Sequence, residues 1–286
     1  MGGVKPHVLI IGCGFLGEAA AVAFSRAGKS VLGLSRNVPE GAPGLLPCDV
    51  TDPASMEALV PLVRDVPVAV HAVSSGKGGA ETYAAVYREG LRNVIRLWNP
   101  GRVIFVGSTS VYAQTDGSVV SEDTPAVPDR ETGRILLEAE ALALAAGGSV
   151  ARLSGIYGPG RSVLLRKFLS GEAVLEAGGG RWVNQIHRDD AASALVHLAD
   201  PATEPGIFNV SDDTPATQRD LYGWMAGVTG RPLPPEGPAD LGRKRGWTSK
   251  RISNERLRAA GWAPQYPSYR DALPRLLEEF PGQGSE

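Results

Sequence analysis

The chain has few of the residues that build disulfide scaffolds or metal centres. Its 286 residues include two cysteines, Cys13 and Cys48, and four histidines. Two cysteines cannot form a disulfide framework or a metal site by themselves, so no metal is expected. No apolar run approaches the roughly 20 residues that a membrane-spanning helix needs, and no membrane partner is expected. Neither sign of charge dominates: 29 Lys and Arg stand against 31 Asp and Glu, a net charge of −2. That balance excludes the electrostatic footprint of a nucleic-acid binder. The one basic run, Arg243-Lys244-Arg245, is too short to change this. The first strand pattern begins at residue 8, which leaves no room for a signal peptide, and the chain reads as cytoplasmic. There is no internal repeat and no low-complexity tract. What remains is a globular composition, 43% hydrophobic and 21% charged, long enough for one large domain or two joined ones. A small molecule is the expected partner.

The stretch from 7 to 37 organises the chain. An apolar run at 8–11 leads into Gly12-Cys13-Gly14-Phe15-Leu16-Gly17, then an alanine-rich helical pattern, then a second apolar run at 31–34. The glycines have G-x-G-x-x-G spacing, which points to a dinucleotide pyrophosphate. Gly12 allows the sharp turn, Gly14 lets a phosphate approach the backbone, and Gly17 lets the helix pack against the strand. The helix start then presents N–H groups and a partial positive charge to the phosphates. At the end of the second strand an acid would favour NAD. Here the residues are Ser35-Arg36-Asn37, with no acid. Arg36 can pair with a 2′-phosphate and Ser35 can donate to it, which favours NADP while NAD remains open.

Strand and helix patterns alternate onward. Helical spacing at 53–64 is followed by a strand at 66–73, a long helix at 81–98 and a strand at 102–106. A helix at 131–146, a strand at 149–153 and a helix at 163–169 come next. Beyond these lie an extended piece at 182–186, a helix at 191–198 that Asp189 or Asp190 could cap, and a strand at 207–210. The alternation predicts an α/β fold, a doubly wound parallel sheet whose ligands sit beyond the carboxyl ends of the strands. Residues 1–155 are expected to form the dinucleotide-binding domain. Residues 156–286 are expected to form a smaller C-terminal cap on the substrate side, with about 184–211 returning to the sheet.

Gly12-x-Gly14-x-x-Gly17, Asp49, Ser74-Ser75, Ser108-Thr109-Ser110-Val111-Tyr112, Ile156-Tyr157-Gly158-Pro159, Ile186-His187-Arg188-Asp189-Asp190 and Phe208-Asn209-Val210 occur in one order. In this the chain resembles the extended branch of the short-chain dehydrogenase/reductase superfamily, within the NAD-dependent epimerase/dehydratase group. The resemblance implies a Rossmann-like fold. It implies cofactor contacts from Gly12, Gly14, Phe15, Leu16, Gly17, Ser35, Arg36, Asp49, Val50, Val73 and Ser74. Asp49 would meet the adenine, and Val73 with Ser74 the nicotinamide ribose. Ser108 would polarise the reacting oxygen of a sugar-nucleotide or another hydroxyl or carbonyl compound. Paired helices often make dimers in this superfamily, so a homodimer is compatible with the resemblance.

One departure bears on chemistry. The family's acid/base is a Tyr four residues before a Lys on the helix after the fifth strand. No Tyr or Lys occurs between Val120 and Ser149, and the best register puts Thr132 and Leu136 in their places. A Thr hydroxyl cannot replace a phenol of pKa about 10. The Asn common before Tyr-Gly-Pro is Gly155, and the Arg that often holds a nucleotide-sugar diphosphate is Val183. Tyr157, in a glycine-proline loop, is a stand-in for the lost tyrosine. Tyr112 and His187 read as structural, and Lys77 and Arg134 as charges near the site. Two functions follow: an oxidoreductase with a non-standard acid/base, or a dinucleotide-binding redox sensor or regulatory protein without turnover.

Overall fold

A computed structural model describes residues 5–76, 78–242 and 246–279. Lys77 and the run Arg243-Lys244-Arg245 lie outside the described residues. Seven strands form the central sheet: β1 (Val8–Ile11), β2 (Val31–Ser35), β3 (Leu45–Pro47), β4 (Val68–His71), β5 (Arg102–Ser108), β6 (Ser149–Leu153) and β7 (Ile207–Val210). Their spatial order is β7-β6-β5-β4-β1-β2-β3, and every pairing is parallel. The chain moves outward in opposite directions from β1, so a crevice opens at the carboxyl ends of β1 and β4.

Both faces of the sheet are covered. Val8 and Ile10 of β1 pack on one side with Leu16 and Phe24 of helix α1 (Phe15–Arg26). Leu9 and Ile11 point the other way, toward Met56 and Trp98. This is the period-two alternation of a strand buried on both faces. Further along the second face, Phe105 of β5 packs with Ile135 and Leu136 of a later helix, Glu131–Ala145.

The helix expected over 53–64 is two pieces, Pro53–Glu57 and Val60–Val63. Pro61 lacks an N–H, and its ring would strike the carbonyl of residue 57 in a continuous helix. Helix α2 runs unbroken over 80–98 but takes π-type bonding over Ala84–Glu89 and Val94–Trp98. It ends at Asn99 in the left-handed conformation, φ 44°. Helix α3 is Glu131–Ala145 and α4 is Val163–Leu169.

The extended piece at 182–186 divides into Trp182–Val183 and Gln185–His187. The second pairs in parallel with Gly155–Tyr157. Helix α5 (Arg188–Leu198) then packs beside α1 on the sheet. Its cap corrects the sequence reading. His187, not Asp189 or Asp190, is the N-cap, and its Nδ1 accepts from the Asp189 amide at 3.3 Å. The buried Asp190 carboxylate instead accepts from the amides of Gln265 (2.6 Å) and Tyr266 (3.0 Å), tying the C-terminal segment to α5. Helices α6 (Gln218–Thr229) and α7 (Tyr269–Glu278) share a separate core with α4, in which Phe168, Tyr222, Met225, Leu273 and Leu276 meet.

Candidate functional site

A cleft of about 340 Å³ lies at the carboxyl ends of the strands, a size usual for small-molecule sites. The glycine turn forms its floor. Gly12 has φ +97°, and a Cβ there would lie 2.7 Å from the Val73 backbone. A Cβ on Gly17 would lie 2.1 Å from the Gly12 carbonyl oxygen. Both positions therefore need glycine for the fold itself. Gly14 differs, because a Cβ there would meet nothing within 4 Å. Its backbone is extended and no side chain caps α1, so the first amides of the helix are left for a ligand. Open space above an uncapped helix start fits the phosphates of a dinucleotide.

The residues expected at the cofactor come together. Gly12, Gly14, Phe15, Leu16, Ser35, Arg36, Asp49, Val50, Val73, Ser74 and Ser108 line this one cleft. Gly17 lies behind the turn as packing. Asp49 Oδ1 accepts from the Thr51 amide at 2.9 Å and the Thr51 hydroxyl at 2.7 Å, which fixes the carboxylate after β3. Ser108 ends β5, and its hydroxyl accepts from the Ser110 amide at 3.2 Å. Among the described residues no three His, Cys, Asp or Glu side chains are grouped to hold a metal. No described helix is long and apolar enough to cross a membrane.

The structure removes Tyr157 from the groups that can exchange a proton here. In the strand Gly155–Tyr157, Ile156 lines the cleft, so the alternation turns Tyr157 away from it. The Tyr157 ring is buried among Phe168, Tyr222 and Leu273, edge-on to His187 at 5.4 Å. Burial, reinforced by the Asp212 carboxylate, pushes its phenol far above the ordinary value. His187 is likewise buried behind the cleft, and burial holds its ring below the ordinary histidine value. Leu136 lines the cleft where the resemblance calls for Lys, whereas Thr132 is not among the lining residues.

A buried polar network stands behind Ser108. Arg152 pairs across the sheet with Gly107 and is 4% exposed. Its guanidinium meets Glu140 of α3 through Nη2–Oε2 at 2.6 Å and Nε–Oε1 at 3.0 Å, and it donates to the Tyr112 hydroxyl at 2.7 Å. That hydroxyl donates onward to Asn209 at 3.1 Å, which explains Tyr112 as structural. Burial raises the Glu140 carboxyl, and the Arg152 guanidinium opposes that rise. Lys250 joins from the C-terminal segment, donating to the Tyr112 carbonyl at 2.7 Å, and burial pushes its amine down to about 8.

Sequence reasoning missed several lining residues. Both cysteines face the cleft, and burial pushes the Cys13 thiol up to about 11. Arg161 lines it with its guanidinium 5.2 Å over the Phe15 ring, and Arg188 stacks on Phe15 at 5.2 Å as well. Tyr83 and Tyr87 reach it from α2. Their spacing of four is a weak signal, because it also describes an ordinary buried helix face.

Comparisons with known proteins agree with this geometry. A family model described as "NAD dependent epimerase/dehydratase family" matches residues 8–211. A Streptomyces protein named 3-diazoavenalumate denitrifying reductase is 32% identical over 179 residues, covering 55% of this chain and 59% of that protein. The match thus spans less than two thirds of that relative. A solved structure from Methylobacillus flagellatus, assigned to the NAD-dependent epimerase/dehydratase type, is 32% identical with a TM-score of 0.80. It covers 98% of this chain and 100% of that one. The Bordetella bronchiseptica enzyme WbmG, solved with NAD and UDP, has a TM-score of 0.81 at 17% identity, covering 99% and 96% of the two chains. At that identity it supports the fold alone.

Proposed function

The chain belongs to the NAD dependent epimerase/dehydratase family, within the extended short-chain dehydrogenases/reductases, and from that premise we propose an NAD(P)-dependent oxidoreductase with a non-standard acid/base. One observation carries the reading. The glycine turn, Arg36, Asp49 and Ser108 come from four strand ends yet face one cleft. In this reading the amides after Gly14 hold the pyrophosphate, with Phe15 and Leu16 shaping the turn. Asp49 and Val50 meet the adenine, Ser35 and Arg36 the 2′-phosphate, and Val73 with Ser74 the nicotinamide ribose. When bound, the nicotinamide supplies hydride exchange. Ser108 then orients the hydroxyl or carbonyl oxygen of a small-molecule substrate, a sugar-nucleotide or another compound. Residues 156–286, apart from about 184–211, serve as the substrate-side cap. Similarity to a reductase supports the reducing direction. Val183, where the family often carries Arg, weighs against a nucleotide-sugar diphosphate.

A second reading is favoured by Leu136 alone: binding of dinucleotide without turnover, as in a sensor. Titration of the purified protein with NADPH and NADH tests the binding, and oxidation of the reduced cofactor by a panel of carbonyl compounds tests the chemistry. NADPH is expected to bind the more tightly. Arg36→Ala removes one charge-assisted contact of about 1.5–3 kcal/mol, so NADPH affinity should fall about 10- to 150-fold while NADH affinity holds. Equal loss for both cofactors would show that Arg36 does not read the phosphate. If neither cofactor bound, the reading would end. Tight binding with no turnover of any carbonyl would leave the sensor.

A further inference from the structure

The reading above leaves the proton without a carrier, and this inference rests on it. Several groups could be considered. Tyr157 faces the cap core. The Ser154 hydroxyl is buried without a partner, but an aliphatic hydroxyl is a poor proton donor near neutral pH. The Cys13 thiol, pushed up to about 11 by burial, belongs to the glycine turn at the phosphate side. Tyr87 is different. It is 6% exposed, and it lines the same cleft as Ser74, Ser108 and Leu136.

Three details set the Tyr87 hydroxyl apart. Its oxygen accepts the Ser75 amide at 3.4 Å, on the turn that follows Ser74. Among the described residues no hydrogen bond takes its own proton, so the O–H remains available to a ligand. Its ring is held by aromatic neighbours: Tyr83 at 4.9 Å and Phe105, edge-on, at 6.3 Å. Phe105 in turn stacks on His71 at 6.0 Å. The His71 Nε2 lies 3.1 Å from the carbonyl of Val86, the residue before Tyr87. Since a carbonyl only accepts, Nε2 carries the proton. This bond pins the π-type segment that presents Tyr87, and π-type turns recur at functional sites.

We propose that Tyr87 is the catalytic residue that gives a proton to, and takes it from, the substrate oxygen, replacing the tyrosine missing from α3. In the reducing direction, the C=O π bond of the substrate breaks as its carbon gains hydride from a reduced nicotinamide dinucleotide. The oxygen gains the Tyr87 proton, a new O–H bond forms, and the dinucleotide leaves oxidised. The Ser75 amide holds the phenolate, which recovers a proton from water at the cleft mouth. Oxidation of an alcohol runs the same transfers in reverse. Ser108 orients the oxygen in both directions.

Two measurements on the full chain test this. The first needs no substrate. Tetranitromethane nitrates accessible phenols, and peptide mass spectrometry locates the product with and without saturating NADP+. Tyr87 should be nitrated in the free protein and protected by NADP+, while Tyr112 and Tyr157 stay unreacted. Absence of nitration at Tyr87, or no protection, overturns the proposal. The second compares Tyr87→Phe and Ser108→Ala in NADPH oxidation by 9,10-phenanthrenequinone, a general carbonyl probe. Tyr87→Phe should bind NADPH within about threefold of the parent yet lose about 10²–10⁴-fold in turnover, the usual contribution of a positioned acid. Parental turnover in Tyr87→Phe, with Ser108→Ala impaired, overturns the assignment and leaves the proposed function standing. A parent protein that binds NADPH but never reduces the quinone overturns the oxidoreductase reading, and this assignment with it.

Discussion

Gly14 offers a substitution that should strengthen the fold while blocking the ligand. Its φ of −104° and ψ of −153° are extended, so a side chain is not strained there, and a Cβ would meet nothing within 4 Å. Gly14 is also the N-cap of α1 and has no capping side chain. Gly14→Ser supplies that cap and reduces the freedom of the unfolded chain. The two effects contribute a few tenths of a kcal/mol and about 0.4–1 kcal/mol, together near 1 kcal/mol. For a chain of this size that is a rise of about 2–4 °C in Tm. The same hydroxyl occupies the space above the helix start and takes an amide that a phosphate would use. One lost charge-assisted bond of about 1.5–3 kcal/mol weakens NADPH about 10- to 150-fold. Gly17→Ala is the control with the opposite fold effect. Its Cβ would sit 2.1 Å from the Gly12 carbonyl oxygen, so helix and turn must separate, at about 1–3 kcal/mol. Thermal unfolding without ligand, followed by NADPH fluorescence titration, reads both quantities. Undiminished NADPH binding by Gly14→Ser would mean that no phosphate passes over this turn. A Gly17→Ala protein as stable as the parent would refute the packing argument.

The buried pair and the buried histidine give two further expectations. Arg152→Met leaves Glu140, itself 2% exposed, without its partner, and should cost about 3–5 kcal/mol in urea unfolding. The double replacement Glu140→Leu with Arg152→Met should recover most of that, and a single-substitution cost under about 1 kcal/mol would contradict a desolvated pair. Burial pushes His71 down to about 4, against an unfolded value near 6.5, so below pH 6.5 the unfolded chain binds a proton that the folded chain refuses. The stability it contributes is full above about pH 6.5 and lost as pH falls toward 4, up to about 3 kcal/mol. His71→Gln keeps a donor for Val86 and should flatten the stability curve across that window; an unchanged slope would show that His71 titrates normally.

Much of the sheet was legible because its strands are continuous apolar runs between turn residues. Val8–Ile11 and Ser149–Leu153 fall where the sequence puts them, as does helix Val163–Leu169. The short pairs were not legible. Val119–Val120 joins Arg251–Ile252, and Leu175–Glu176 joins Glu236–Gly237. Two residues carry no period, and their partners lie far along the chain. The glycine turn and the strand ends named most of the side of the cleft that carries the glycine turn, Arg36 and Asp49. The opposite side was hidden for a physical reason. Tyr83 and Tyr87 belong to a buried core cluster as well as to the cleft wall, and spacing alone cannot separate those roles. Arg152 and Glu140 were hidden too, because a charged residue in a sequence is assumed to face water.

Leu136 ties these observations together. Among the residues lining the cleft, the charged ones are Arg36, Asp49 and Arg161. Arg36 and Asp49 follow β2 and β3, and Arg161 rests on Phe15 at the glycine turn. The lining around Ser108 is apolar or neutral: Tyr83, Val86, Tyr87, Val106, Leu136 and Leu153. A lysine at 136 would place a cation there and lower the pKa of a neighbouring phenol directly. Leucine excludes water instead, and in a poorly polarisable surrounding a fixed amide dipole acts more strongly on a developing oxyanion. The Ser75 amide on the Tyr87 oxygen is such a dipole. The same lining disfavours a diphosphate or carboxylate next to Ser108, since no cation there would repay its desolvation. Under the proposed oxidoreductase reading, a substrate with an uncharged reacting end is therefore the one expected to fit beside Ser108.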